Sequence, residues 1–319
     1  MNPDVVAAVR RLGREGILTP AQSGLLGRVA GDELVSVRAE LRLLLYGGVL
    51  AVMGGASVLV QQNLDRLGPV AIAAGLWIAA AAAVLWALRH APPFSWGPAP
   101  STHLAFDYIL LLGVLLTGAA LAYVEVEFTP PGPAWSYHLL VMSLVAASLA
   151  VRGDSRVVAG VALSTFAAWR GVSASPLQRA FWFRGDAAGA VRTDALITGL
   201  LFVGLGYGLV RSGRKAHFEP VAAHLGWLLI LGAILAGVGD EGAARLGLFV
   251  VGAGLAAMAF RSGRFPLFGM GLIAAYIGLS ALVVAGVRDA MFGFLWFSAT
   301  GIAVLVGLLM AQRAMRDRA

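Results

Sequence analysis

Long apolar runs constrain the fold of this chain more than any other feature of its sequence. About 20 apolar residues in helical form are enough to cross the hydrocarbon core of a bilayer. A hydrophobic fraction of 59% with only 13% charged residues contrasts with about 25% charged residues in soluble domains. We therefore predict an all-α, polytopic membrane protein with about ten transmembrane helices. The ten apolar segments lie at approximately 41–60, 68–88, 104–124, 135–151, 157–173, 194–210, 220–238, 244–260, 266–287 and 290–311.

The tetrapeptide Arg-Ser-Gly-Arg occurs twice between these segments, at 211–214 and at 261–264. Each copy follows one apolar segment and precedes another, so residues 196–286 are predicted to form repeated helical hairpins. A sequence repeat of this length is typical of stacked structural units. Gly213 and Gly263 favour a tight reversal of the backbone between the helices.

The distribution of basic residues predicts the orientation of the chain. With the N-terminus in the cytoplasm, 17 of the 24 Lys and Arg residues fall on the cytoplasmic side, as the positive-inside rule requires. We therefore predict that both termini are cytoplasmic, with residues 1–40 as a helical head and 41–319 as the transmembrane bundle. The head is either a topogenic basic segment or a docking module, and Thr19-Pro20 marks a helix start in it. Because the orientation signal explains the net charge of +7, no nucleic-acid partner is expected.

The fourth and fifth segments are shorter than the others and flank the turn at 152–156. Each has fewer apolar residues than the roughly 20 of a straight span. They are either thin spans or a re-entrant pair, and in the second case the number of spans falls to eight. Short or broken segments are where transporters often bind their substrates, so we expect function in residues 104–194.

Charged residues near the outer surface are the candidate substrate-binding residues. Two glutamates end the third segment beside a loop without Lys or Arg, whereas the outer loop at 171–193, predicted to include an interfacial helix, is flanked and occupied by arginines. An outward-facing polar pocket would bring these charges together, and the alternative is that they are solvated at helix ends. The candidates are Glu125, Glu127, His138, Arg170, Arg179 and Arg184.

Other motifs point to packing and not to chemistry. Gly204 and Gly208 lie four residues apart inside an apolar segment, a spacing typical of a face that packs against a neighbouring helix or subunit. The five histidines and the absence of cysteine provide no metal-ligand pattern, and no nucleophile with a base can be assembled from the spacing. We therefore predict no catalytic residues, no metal and no cofactor.

Three stretches near the N-terminus carry a resemblance to a known family. They are residues 12–22 (LGREGILTPAQ), the glycine-containing span at 47–55, and residues 62–65 (QNLD). Over residues 8–90 the chain resembles the bacterial membrane proteins known as domain of unknown function 2157 (DUF2157). The resemblance implies an integral protein of the bacterial inner membrane with no established activity, so it transfers no catalytic residue.

Two functions follow as hypotheses. The first is transport or handling of lipids and other amphiphiles, with membrane lipids and an unidentified small molecule as partners. The second is a scaffold or sensor of the cell envelope, which binds a partner through the head and forms a homo-oligomer or a complex with another membrane protein. An intramembrane enzyme is disfavoured, because such sites depend on buried ionisable groups that the sequence does not reveal.

Overall fold

The computed structural model describes residues 9, 11–30, 38–99, 105–128, 136–174, 186–239, 241–286 and 290–316. These residues form eleven α-helices and one short 3-10 helix at Ala216–Phe218, and they include no strand. The all-α prediction is therefore confirmed. The helices are α1 Pro20–Ala30, α2 Arg38–Leu67, α3 Pro69–Arg89, α4 Phe106–Phe128, α5 Tyr137–Gly153, α6 Arg156–Ala174, α7 Asp186–Ser212, α8 Glu219–Leu235, α9 Gly242–Arg261, α10 Phe265–Ala285 and α11 Ala290–Arg316.

Helices α2 to α11 correspond one for one to the ten predicted apolar segments. Seven helices are long and apolar enough to cross a membrane, namely α3, α4 and α7 to α11. The remaining three are α2, whose apolar part is Leu43–Leu59, the 17-residue α5, and α6. Within the predicted outer loop at 171–193, α6 continues to Ala174 and α7 begins at Asp186, and the predicted interfacial helix between them lies outside the described residues.

The contacts divide the chain into two compact units, Met1–Asn63 and Leu64–Ala319. In the first unit, Thr19 caps α1 as the sequence predicts. The Thr19 hydroxyl oxygen accepts a hydrogen bond from the Gln22 N–H at 3.3 Å, and the Gln22 side-chain oxygen accepts one from the Thr19 N–H at 3.0 Å. This reciprocal pair satisfies two backbone donors at the start of the helix.

The second unit consists mainly of four helical hairpins: α3 with α4, α5 with α6, α7 with α8, and α9 with α10. The two Arg-Ser-Gly-Arg turns lie within the third and fourth hairpins, where they connect α7 to α8 and α9 to α10. Gly213 and Gly263 have φ angles of +66° and +68°, a left-handed conformation that glycine adopts without steric cost. The prediction that these glycines reverse the chain is confirmed. A buried apolar cluster including Leu231, Leu248 and Leu267 connects α8, α9 and α10.

The paired helices of the repeat approach each other through glycines other than those predicted. A Cβ atom on Gly199 would lie 2.7 Å from the Gly226 carbonyl oxygen, and one on Gly271 would lie 2.7 Å from the Gly252 carbonyl oxygen. A Cβ on Gly204 or Gly208 would meet nothing within 4 Å. These two glycines therefore do not pack against a helix of the described chain, because α7 turns the face of Gly199 toward α8. Packing against another subunit stays a prediction.

Candidate functional site

One end of the hairpins, which we call the turn end, comprises residues 91–99, 153–155, 213–218 and 262–264. Asp154 lies at its centre, in a left-handed conformation with φ of 57° after the last residue of α5. Its carboxylate accepts hydrogen bonds from the Ala99 N–H at 2.6 Å and from Lys215 Nζ at 2.5 Å. His217 Nε2 lies 2.8 Å from the same carboxylate. The side chains of Asp154, Lys215 and His217 are 7%, 4% and 9% exposed.

The loop at 91–99 is fastened to the neighbouring turns by its backbone. Besides the bond from Ala99, the Trp96 carbonyl accepts a hydrogen bond from the Lys215 N–H at 2.6 Å, and the Pro92 carbonyl accepts one from Arg152 Nη1 at 2.8 Å. Lys215 Nζ also lies 5.4 Å from the centre of the Phe94 ring, within the range of a cation–π contact. The loop, the α5–α6 turn and the α7–α8 turn are thus joined through Asp154 and Lys215.

The electrostatics of this cluster favour the ionised carboxylate. Burial raises the pKa of the Asp154 carboxyl, but the hydrogen bonds from Ala99 and Lys215 and the charges of His217 and Lys215 outweigh it, so the pKa is lowered from its ordinary value. The contact between His217 and the carboxylate lacks hydrogen-bond geometry, and neither ring nitrogen of His217 has a hydrogen-bond partner among the described residues. The donors and the acceptor belong to the chain itself, so the cluster acts as a clamp between turns.

The sequence did not predict this clamp. Asp154 and Lys215 are 61 residues apart, and nothing in their local sequence links them. The one available signal is that Lys215 is the only lysine in an arginine-rich chain. That signal shows that the residue is unusual but does not identify its partner.

At the opposite end of the hairpins, where α4 ends and α5 begins, the structure brings together some of the predicted charges. Glu125 Oε2 lies 2.5 Å from His138 Nδ1, with both side chains 19% exposed. Glu127 is exposed. Arg179 and Arg184 lie outside the described residues. The binding of a substrate by any of these residues stays a prediction.

Arg170 pairs with a residue that the sequence analysis did not select. Its guanidinium contacts the Asp194 carboxylate, whose side chain is 7% exposed, and the Thr198 hydroxyl donates to the same carboxylate at 3.5 Å. The expected glutamate partners do not contact Arg170. Asp194 was missed because it begins an apolar segment, where an aspartate is easily read as a helix end.

Arg192 and Arg245 stabilise the connection between α8 and α9 at this opposite end. Arg192 pairs with Glu241 at 2.8 Å and donates to the Ala233 carbonyl at 3.2 Å. Arg245 donates to the carbonyls of Val238 and Gly239. Both side chains therefore satisfy backbone groups at the end of a helix, which otherwise lack partners.

An open groove, which we call the lateral groove, lies between α3, α4 and α5. Its cavity volume is about 480 Å³, within the range of roughly 300–1,000 Å³ typical of ligand sites. Its only hydroxyls, on Thr117 and Ser148, donate to carbonyls of their own helices at 2.7 and 2.8 Å. The walls therefore present an apolar surface. The lining residues are Trp77, Ala80, Ala81, Val84, Thr117, Leu144, Val145, Ser148 and Leu149.

Two further grooves, of about 500 and 390 Å³, lie where α11 packs beside α9 and α10. Their polar groups bond to one another: Trp296 Nε1 donates to the Ser280 hydroxyl at 3.2 Å, and the Thr300 hydroxyl lies 3.3 Å from that of Tyr276. Within the described part of the chain, no group of three or more His, Cys, Asp or Glu residues is arranged to hold a metal ion.

Comparison with known families supports the resemblance found in the sequence. Residues 10–159 match the family model described as predicted membrane protein (DUF2157). The match extends beyond residue 90, through α3 and α4 to the first turn of α6, so it includes the whole lateral groove and Asp154. No curated protein and no solved structure matches the chain.

Proposed function

We propose that this protein binds a lipid-like amphiphile within the bacterial inner membrane, with an apolar chain of the ligand in the lateral groove. The observation that supports the proposal is an open cavity of about 480 Å³ with apolar walls on three candidate or short membrane helices. The ligand would enter sideways from the bilayer. The proposal makes the hypothesis of lipid handling more specific, because it places the binding site within residues 69–153.

The chemistry of the walls favours an acyl chain over a polar solute. A solute with hydrogen-bonding groups would lose its hydration in the groove, at a cost of a few kcal/mol for each group left without a partner. The hydroxyls of Thr117 and Ser148 offer little compensation, because each already donates to a carbonyl one turn earlier. An acyl chain has no such groups and gains dispersion contacts with the walls.

We also propose that all ten apolar helices cross the membrane, with both termini in the cytoplasm. The turn at 153–155 contacts Ala99 and Lys215 through Asp154. These partners follow the ends of α3 and α7, so the α5–α6 turn lies near the ends of longer helices and not halfway along them. This supports thin spans for α5 and α6, since a re-entrant pair would turn inside the bilayer.

Single cysteines test this topology, because the natural chain contains none. Pro93→Cys and Arg156→Cys occupy exposed positions at the turn end, and Glu127→Cys is exposed at the opposite end. We expect a membrane-impermeant thiol reagent to label Glu127→Cys in intact cells, and to label the other two only after the cytoplasmic side is opened. Labelling of Arg156→Cys from outside would contradict ten spans.

A groove-filling variant tests the proposed function. Ala81 is exposed and lines the groove, whereas the adjacent Ala82 is exposed but is not part of the lining. We expect Ala81→Phe to reduce the number of lipids that each purified chain retains, as counted by native mass spectrometry, and Ala82→Phe to leave it unchanged. Equal retention by wild type and both variants would contradict an acyl-chain site here.

A second candidate function is a membrane scaffold that self-associates through α7. Gly204 and Gly208 are exposed, and a Cβ added at either would meet no atom of the described residues within 4 Å. Small residues on a lipid-facing helix allow a second helix to approach closely. Gly204→Leu is expected to reduce crosslinking between copies in the membrane, with Gly232→Leu as the control because Gly232 also meets nothing within 4 Å. Unchanged crosslinking would remove this candidate.

A further inference from the structure

The lateral groove runs toward the turn end, and Arg152 lies beyond its lining residues, one helical turn after Ser148 on α5. Helices α3 and α5 both end at the turn end. On α3, Trp77 lies twelve residues before the end of the helix, a distance of about 18 Å. On α5, Leu149 lies only about 6 Å before the end of the helix. The groove therefore runs from the middle of the bundle to the turn end. Arg152 follows Ser148 by one helical turn on the same face of α5, since residues four apart share a face. Its side chain thus continues the groove wall toward the turn end.

A hydrogen bond from Arg152 joins two of the elements that flank the groove. Arg152 Nη1 donates to the Pro92 carbonyl at 2.8 Å. Arg152 belongs to α5, and Pro92 follows α3, so the guanidinium joins α5 to the loop after α3, on the turn-end side of the groove's lining residues. A guanidinium has five N–H donors in a planar fork, and this bond uses one of them.

Arg152 lacks a carboxylate partner, unlike most partly buried cations among the described residues. Arg170, Arg192 and Lys215 pair with Asp194, Glu241 and Asp154 respectively, whereas Arg245, like Arg152, donates only to backbone carbonyls. Among the described residues, no carboxylate lies within 4.0 Å of Arg152. The nearest acidic residue in the sequence, Asp154, directs its oxygens to Ala99, Lys215 and His217 instead.

We propose that the lateral groove binds an anionic glycerophospholipid of the cytoplasmic leaflet, with an acyl chain along the groove and the phosphate against Arg152. This inference rests on the proposed function and names the class of its ligand. Guanidinium and phosphate form charge-assisted, often bidentate hydrogen bonds. Arg89, exposed in the last turn of α3, adds a second positive charge at this end.

A net negative headgroup fits this end better than a zwitterionic one. The ammonium of a zwitterionic headgroup needs an acidic or carbonyl partner, and the carboxylate of Asp154 is buried and engaged. The basic residues of the last turns, including Arg89 and Arg152, repel an ammonium and attract an anion at headgroup depth.

The experiment compares two phospholipids that share the same acyl chains, phosphatidylglycerol and phosphatidylcholine. Each is titrated into the delipidated full-length protein, and bound lipid is counted by native mass spectrometry. Both lipids carry the phosphate, so the preference reports the choline cation held beside Arg152 and Arg89. One unfavourable contact between charges corresponds to roughly tenfold in affinity, so wild type is expected to prefer phosphatidylglycerol about tenfold. Arg152→Gln is expected to bind both lipids about equally. Arg156→Gln is the matched control, because Arg156 is exposed in the same turn and makes no contact with the groove.

Arg152→Lys keeps the proposal testable if the glutamine variant fails to fold. Lysine retains a positive charge and a donor for the Pro92 carbonyl but loses the bidentate fork, so an intermediate preference of about threefold is expected. The preference of wild type should also weaken as salt is raised, since exposed charges are screened. A preference in Arg152→Gln or Arg152→Lys equal to that of Arg156→Gln overturns the assignment of the phosphate to Arg152.

The outcomes separate this inference from the proposed function. Loss of both lipids in Ala81→Phe, together with an unchanged preference in Arg152→Gln, rejects the headgroup contact and leaves the groove. Retention of both lipids in Ala81→Phe rejects the groove, and with it this inference. Efficient disulfide formation between copies carrying Ser148→Cys would show that a second chain covers the groove, and would overturn a lipid occupant.

Discussion

The two ends of the helical hairpins hold their connections together in different ways. At the turn end, besides the exposed pair of Arg264 with Glu219, one buried carboxylate, that of Asp154, contacts residues of two other segments, the 91–99 loop and the α7–α8 turn. At the opposite end, separate ion pairs each join two neighbouring segments, as Glu125 with His138 and Arg192 with Glu241 do. The first arrangement is shared and buried, and the second is pairwise and more exposed.

This difference predicts how each end responds to substitution. Removing one member of a shared, buried cluster leaves several partners unsatisfied in a medium of low dielectric constant, where an uncompensated charge is costly. Removing one member of an exposed pair leaves its partner in contact with water or headgroups, which replace most of the lost interaction. Substitutions at the turn end should therefore be the more damaging, and effects at separate pairs should add.

Asp154→Ala should have the largest effect on stability. It leaves the Lys215 ammonium, 4% exposed, buried without a counter-ion, which typically costs about 3–5 kcal/mol. The free energy of unfolding in detergent micelles measures the effect, with Glu125→Gln as the comparison at the opposite end. Equal losses in the two variants would show that the ends do not differ as the structure suggests.

Asp194→Ala should have an intermediate effect, because its pair combines features of both ends. The Asp194 side chain is 7% exposed, whereas its partner Arg170 is 33% exposed and can regain some hydration. We expect a loss of about 1–3 kcal/mol, the range for an unsatisfied partly buried group. A loss as large as that of Asp154→Ala, measured by the same unfolding assay, would place Asp194 in a buried cluster instead.

The loss of folding stability at low pH should also distinguish the two ends of the hairpins. The pKa of Asp154 in the folded protein is lowered from its ordinary 3.8. Its contribution to stability is therefore complete above that ordinary value and is lost as pH falls through the folded pKa. Stability should decline below about pH 4 with a slope of up to about 1.4 kcal/mol per pH unit for this one proton.

Asp154→Asn provides the control for the pH dependence, because it has the same shape without the titrating carboxylate. The unfolding free energy of wild type and of the variant is measured from neutral pH down to about pH 2. The variant should lose the part of the acid decline that belongs to Asp154. Parallel curves for the two proteins would assign the acid decline to other groups.

Glu241→Gln should have the smallest effect. Glu241 is 53% exposed, and its partner Arg192 also donates to the Ala233 carbonyl, so the arginine keeps a second anchor. Exposed ion pairs contribute little to stability, because water screens the charges and hydrates each partner when the other is removed. A thermal unfolding midpoint that falls as far as that of Asp194→Ala would mean that this exposed pair is more important to the bundle than its exposure indicates.

Much of the architecture could be predicted from local sequence. The ten apolar segments became α2 to α11, Thr19 caps α1, and Gly213 and Gly263 adopt the left-handed conformation expected of tight turns. Each of these features depends on the residues themselves and their immediate neighbours. The pairing of Glu125 with His138 was also accessible, because the two residues flank one short connection.

The residues that join distant segments could not be predicted in this way. Asp154 and Arg152 lie in the same turn, and nothing in that turn indicates that one is clamped by Lys215 while the other closes a groove against Pro92. The sequence also did not indicate which glycine of α7 approaches α8 most closely, which is Gly199 and not Gly204. A rotation of α7 about its axis decides between them, and both choices are compatible with its apolar sequence.

The amino-acid sequence by itself determined that this chain is a helical membrane protein, where its helices lie and where its hairpins turn. Apolar segments, basic loops and turn glycines act locally, so they can be recognised in the amino-acid sequence alone. The tertiary structure alone decided which charges meet, which cations bond to backbone carbonyls instead of carboxylates, and which helix faces leave a groove. Those outcomes depend on the relative rotation and depth of packed helices, since moving a helix by one residue turns its face by about 100° and changes every partner along it.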